Sequence, residues 1–335
     1  MGRRGLRGAP GRLRGPIANA RHVPPRTRRQ KGTPALLRAA LAIALVLVCT
    51  LALTRLMAAI HEASAGSVAS GARTGIPSAA GASQLAVAGL EAGACMSFPP
   101  TRGQSGKTVF IDPGHGGLDP GVVGTTGGQQ VTEKDATLAV GNVLASLLRA
   151  DGYRVVMSRT QDSTVTKLAD SDSYYGSMTA DAAHRDLITR AACANASNAA
   201  VLVSLHFDGF SDPSVGGTET FYDAARPFSA DSKRLATDLQ SAMVASLGTY
   251  DRGVWTDDQL AAPALTSSGN AYGHLIVLGP ASPGWVDGPT TMPGALVEPL
   301  FITNPAEAAV ASQPAGQQRI AKALESGLLK YLGGA

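Results

Sequence analysis

Apolar positions in the C-terminal two thirds of the chain follow two alternating rhythms. Residues 108–112 (TVFID) and 153–158 (YRVVMS) are short apolar runs rich in β-branched residues, the pattern of buried strands. Between them, residues 136–150 place Leu138, Val143, Leu144, Leu147 and Leu148 on one helical face, which makes a βαβ opening. The same reading predicts a helix over 180–195, a buried strand in "AAVLVSLH" ending on His206, a strand "TETFY" at 218–222 and a helix over 229–247. Strands follow in "HLIVL" and "ALVEP", then a closing helix over 317–332. The order predicts an α/β fold: a single domain, residues 108–335, with a central mostly parallel or mixed sheet flanked by helices on both faces. Residues 161–179, dense in Asp, Ser and Tyr, and 279–293, dense in Gly and Pro, interrupt the pattern. They read as surface loops near strand ends, either shaping a substrate groove or merely decorating the fold.

The N-terminal third is of another kind. Residues 39–54 are apolar or neutral without a break, lie between Arg38 and Arg55, and continue into apolar residues through position 60. A tail of 38 residues with no Asp or Glu precedes them. Basic residues on that side orient the apolar segment 39–60 as a signal or anchor at the membrane, so the rest of the chain is expected outside the cytoplasm. A small-residue cleavage pattern, Ala63-Ser64-Ala65, leaves removal and anchoring both open. Residues 61–107, rich in Ala, Gly and Ser, read as a flexible linker.

Charge sharpens this division. The chain is +4 overall, yet residues 1–62 hold 12 of its 29 Lys/Arg and one of its 25 acids, so the remainder is −7. A nucleic-acid surface on the main domain is therefore not expected. Of three cysteines, Cys49 lies in the apolar segment, while Cys95 and Cys193 belong to the exported part. They either form a disulfide or leave Cys193 as a small buried helix residue.

The stretch "VFIDPGHGGLDPG", residues 109–121, sets one histidine, His115, among glycines and prolines just past a predicted strand end. Alone it could be an ordinary turn residue. Glu133 before the first helix could be a first-turn acid favoured by the helix dipole, and His206 a strand-end histidine. Glu298, inside the apolar run "GALVEPLFITNP", is harder to explain away, because a carboxylate there is costly unless paired, beside a metal or protonated. Two imidazoles and one carboxylate are a donor set that a catalytic zinc commonly uses, with a fourth position left for water. His61, His184 and His274 belong to no motif.

"VFIDPGHGGLDPG", "TEKDATLAV", "RAACANASNAAVLVSLHFDG", "GGTETFYD" and "ALVEPLFITNPAEA", in that order, resemble the zinc-dependent N-acetylmuramoyl-L-alanine amidases of bacterial cell-wall hydrolases, type 3. The resemblance spans residues 108 to about 332. It implies one Zn2+ held by His115, Glu133 and His206, and Glu298 as the catalytic carboxylate. The implied reaction is hydrolysis of the amide between N-acetylmuramic acid and L-alanine of the stem peptide. Peptidoglycan is the implied partner, with a regulatory cell-wall or division protein left open. Arg190 and Asn195 also match, with helix packing the expected role; Glu219 matches with its role open. Asp208, Pro299 and the 279–293 loop depart from the family pattern. Two other readings stay in view: a zinc peptidase cutting within the stem, and a non-catalytic wall-binding or regulatory module.

Overall fold

A computed structural model describes residues 81–259 and 272–333. The segments read as tail and as signal or anchor, and the linker up to residue 80, lie outside the described residues. Among the described residues no helix is long and apolar enough to cross a membrane.

Among the described residues twelve strands occur in chain order: β1 (Ser83–Gln84), β2 (Ala94–Phe98), β3 (Thr108–Pro113), β4 (Val123–Thr126), β5 (Gln129–Thr132), β6 (Arg154–Arg159), β7 (Ser173–Tyr174), β8 (Ser177–Met178), β9 (Val201–Leu205), β10 (Thr218–Tyr222), β11 (Asp251–Thr256) and β12 (Gly294–Glu298). Five α-helices accompany them among the described residues: α1 (Glu133–Ala150), α2 (Ala180–Ala196), α3 (Ser229–Leu247), α4 (Pro305–Ser312) and α5 (Pro314–Gly333). Eight strands form one sheet in the order β1-β2-β6-β3-β9-β12-β10-β11. The central run β6-β3-β9-β12 is parallel, and β2 and β10 border it antiparallel. This is the mixed α/β sheet that the sequence pattern predicts.

Alternation along each strand explains the layers. Val109, Ile111, Val155, Met157, Val201 and Val203 face one side and pack with Leu144 and Leu148 of α1, Leu235 and Leu239 of α3, and Leu324 and Leu328 of α5. Phe110, Val156, Leu202, Phe221 and Leu296 face the other side and pack with Cys193 and Ala194 of α2 and with Val277 and Leu278. Both faces are thus covered, which a central parallel run requires.

Two sequence expectations differ from the structure. Residues 82–98, read as linker, supply β1 and β2 to the sheet, and Cys95 of β2 forms a disulfide with Cys193 of α2, with the Cα atoms 5.7 Å apart. The folded part therefore begins well before residue 107. "HLIVL" is not a strand: Leu278 and Gly279 donate back to the carbonyl of Leu275, so the run folds into a turn. Its apolar side chains are buried without sheet pairing, since Ile276 packs with Trp285 and Val286.

Candidate metal centre

The parallel run brings the C-terminal ends of β3, β9 and β12 to one edge, where open α/β folds gather their functional groups. His115 follows β3, His206 follows β9, Glu133 opens α1 and Glu298 ends β12. His115 itself has φ 60°, a left-handed conformation that side chains other than glycine seldom adopt. The glycines around it clear space. A Cβ on Gly114 would overlap the His206 ring, and one on Gly121 would press on Glu133 Oε2 and His115 Cδ2.

His115 Nε2, Glu133 Oε1 and His206 Nδ1 form a nearly equilateral triangle, with sides of 3.0, 2.9 and 3.1 Å. A tetrahedral ion with bonds of about 2.0–2.1 Å places its ligand atoms about 3.3 Å apart, so the triangle needs little expansion to hold one. Two imidazole nitrogens facing each other at 3.1 Å leave at least one lone pair unmatched unless a proton or cation lies between them. The donor set therefore fits a divalent metal.

The groups behind the triangle fix its orientation. His115 Nδ1 lies 2.8 Å from Asp119 Oδ2, a carboxylate behind an imidazole of the kind that sets tautomer and ring direction at metal sites. Burial opposes charge on His115, but its hydrogen bonds to Asp119 and Glu133 prevail and raise its pKa to about 9. Glu133 accepts from the Phe207 N–H at 2.9 Å and the Val122 N–H at 2.8 Å. Although burial disfavours its charge, the two histidines hold its carboxyl well below the usual range.

Arg190 of α2 is 2% exposed and does more than pack. It donates to Asp112 Oδ1, to Asp186 Oδ2 and to the carbonyls of Pro113 and His115. The strained turn is thereby tied to a helix 75 residues away in sequence. Asn195 instead braces the loop at 288–291, donating to Pro289 O and accepting from the Thr291 N–H.

Glu298 lines the same cleft as the triangle, a cavity of about 610 Å³ whose lining also includes Leu187, Ile276 and Val277. Its Oε2 is buried without a hydrogen-bond partner. Burial, and then the charges of Glu133, Asp208 and Glu219, push its carboxyl well above the ordinary range. Glu219 faces Glu298 across the β10–β12 pair and accepts from Arg252 at 3.0 Å. Asp208, a departure from the family pattern, is raised to about 7 by burial and by its hydrogen bond with Glu219. All four residues singled out in sequence thus border one cleft. Asp119 was not singled out, although its position four residues after His115 was the available signal.

The N-acetylmuramoyl-L-alanine amidase family matches residues 109–330. LytC of Bacillus subtilis (strain 168), an N-acetylmuramoyl-L-alanine amidase, is 30% identical over 226 residues, 68% of this chain and 36% of LytC. This chain thus spans about a third of that relative. YqiI of the same organism is 32% identical over 68% of this chain and 85% of its own length. Among solved structures, the CwlD amidase of Clostridioides difficile, determined in complex with the GerS lipoprotein, is 27% identical with a TM-score of 0.54, covering 68% of this chain and 100% of CwlD. With two thirds of its length matched in one continuous block, this chain belongs to the N-acetylmuramoyl-L-alanine amidase family.

Proposed function

We propose that this chain hydrolyses the amide joining N-acetylmuramic acid to L-alanine in peptidoglycan, using one Zn2+ held by His115, Glu133 and His206, with Glu298 as the catalytic carboxylate. The observation that carries this reading is the triangle of ligand atoms on the wall of a cleft that Glu298 also lines. When bound, zinc supplies a Lewis acid that acidifies water and polarises a carbonyl.

The protein's own groups supply the rest. Asp119 keeps the His115 ring aimed inward, and the Phe207 and Val122 amides hold the Glu133 carboxylate in place. The Glu298 carboxylate accepts a proton from the attacking water and then delivers it to the departing nitrogen. Burial and the neighbouring carboxylates raise its pKa, which makes its ionised form a stronger base than an ordinary carboxylate. The apolar wall of Leu187, Ile276 and Val277 limits water around the scissile amide.

The apolar segment 39–60 behind a basic tail supports export, either anchored or released, with residues 61–80 as a tether to the wall. Mass spectrometry of material released from isolated peptidoglycan by the purified full chain tests the reaction. Free stem peptides beginning at L-alanine, suppressed by a chelator, are expected. Shortened stems still attached to sugar would mark cleavage within the stem, and no released product would mark a non-catalytic wall protein.

A further inference from the structure

A second group of metal-capable side chains meets at the far end of β10. β10 runs antiparallel to β12, so Asp223, next after β10, lies toward the end where β12 begins. β11 runs parallel to β10 with Tyr222 opposite Thr256, which places Asp257 beside Asp223. His274 completes the group. Its Nδ1 is 3.0 Å from Asp223 Oδ2 and 3.3 Å from Asp257 Oδ1, and all three ligand atoms lie within 4.8 Å of one another.

The hydrogen bonds at this group do not balance. Asp223 Oδ1 accepts from the Ala225 N–H, and Asp257 Oδ2 from the Leu275 N–H. The other two oxygens face a single imidazole nitrogen, which carries one proton at most. Asp223 is 2% exposed, and its Oδ2 has no hydrogen-bond partner despite its closeness to the ring. Arg226, the neighbouring cation, directs its guanidinium to the carbonyls of Leu278, Gly279 and Thr290. Two buried carboxylates sharing one proton are costly, whereas a cation among the three atoms would satisfy each of them.

We propose that Asp223, Asp257 and His274 form a second metal site for a divalent transition cation such as Zn2+. One imidazole with two carboxylates suits such an ion. Its position makes it a structural clamp. It joins the ends of β10 and β11 to the 272–279 turn, whose Leu275 to Leu278 stretch forms a wall of the cleft.

The test is Zn2+ stoichiometry by equilibrium dialysis on the full chain, purified in mild detergent and stripped with a chelator. Wild type is expected to bind two equivalents. His206→Ala and His274→Gln are each expected to bind one, and the double variant none. In the His206→Ala background, Zn2+ is expected to raise the melting temperature, and Asp257→Asn to abolish that rise. Circular dichroism checks that each variant is folded. A wild-type count of one, or an unchanged count in both His274→Gln and Asp257→Asn, would overturn the proposal and leave the group as an imidazolium paired with two carboxylates.

Discussion

The guanidinium of Arg190 donates to the main-chain carbonyl of His115 at 2.6 Å while also pairing with two buried carboxylates, Asp112 and Asp186. One cation thus offsets the charge of two buried carboxylates and holds the left-handed residue that opens the candidate metal centre. Arg190→Met would leave both carboxylates buried without a cationic partner, a loss of roughly 3–5 kcal/mol. The urea midpoint should fall accordingly, and Zn2+ affinity should fall with it.

Glu298→Gln preserves shape and removes the proposed base. Amide hydrolysis is expected to drop by about 10²–10⁴-fold. Zn2+ stoichiometry should not change. Full activity in this variant would remove the role assigned to Glu298.

Asp119 lies behind His115 and need not touch substrate. Asp119→Ala should weaken zinc binding by about 10–100-fold, the usual effect of removing such a carboxylate. Competition against a chromogenic chelator measures this, and excess zinc should restore much of the hydrolysis rate.

The disulfide between Cys95 and Cys193 closes a loop with a sequence separation of 98. Loop-closure entropy assigns such a link about 4–5 kcal/mol. The Cys95→Ser, Cys193→Ser double variant should melt well below wild type under oxidising conditions. A reductant should lower the melting temperature of wild type alone.

Glu325 of α5 lies beside Asp151, and burial followed by that neighbour raises its pKa from 4.5 to about 7. Through this window the folded chain retains a proton that the unfolded chain has released, so stability falls as pH rises from 4.5 to 7 and stays lowered above it. Solvent screening of this half-exposed group limits the deficit to about 1 kcal/mol. Glu325→Gln should therefore stabilise the protein at pH 8 and leave it nearly unchanged at pH 4 in paired denaturant titrations.

Long periodic segments could be read from sequence. The helix over 229–247 and the strand over 218–222 have the bounds that periodicity predicts. Short apolar runs could not. "HLIVL" has strand-like composition, yet it is a turn whose side chains are buried against neighbouring loops and α2, and period alone does not distinguish the two. β2 was hidden because "ACMSF" sits within an Ala/Gly/Ser-rich stretch and reaches the sheet only through long-range pairing with β6. At the metal centre, the histidines and carboxylates stood out by residue type and position. The work of Arg190 did not, because its contact with His115 spans 75 residues and exists only once α2 has packed on the sheet.

β12 is the last strand among the described residues, yet it lies between β9 and β10 in the interior of the sheet. As the polypeptide emerges, everything before residue 294 has to wait with two strand edges open, one on β9 and one on β10. A fragment ending there would already contain His115, Glu133 and His206 but neither Glu298 nor a closed sheet. The strand that closes the sheet is thus also the one that carries the fourth residue of the candidate site, so the sheet's interior and that site are completed together.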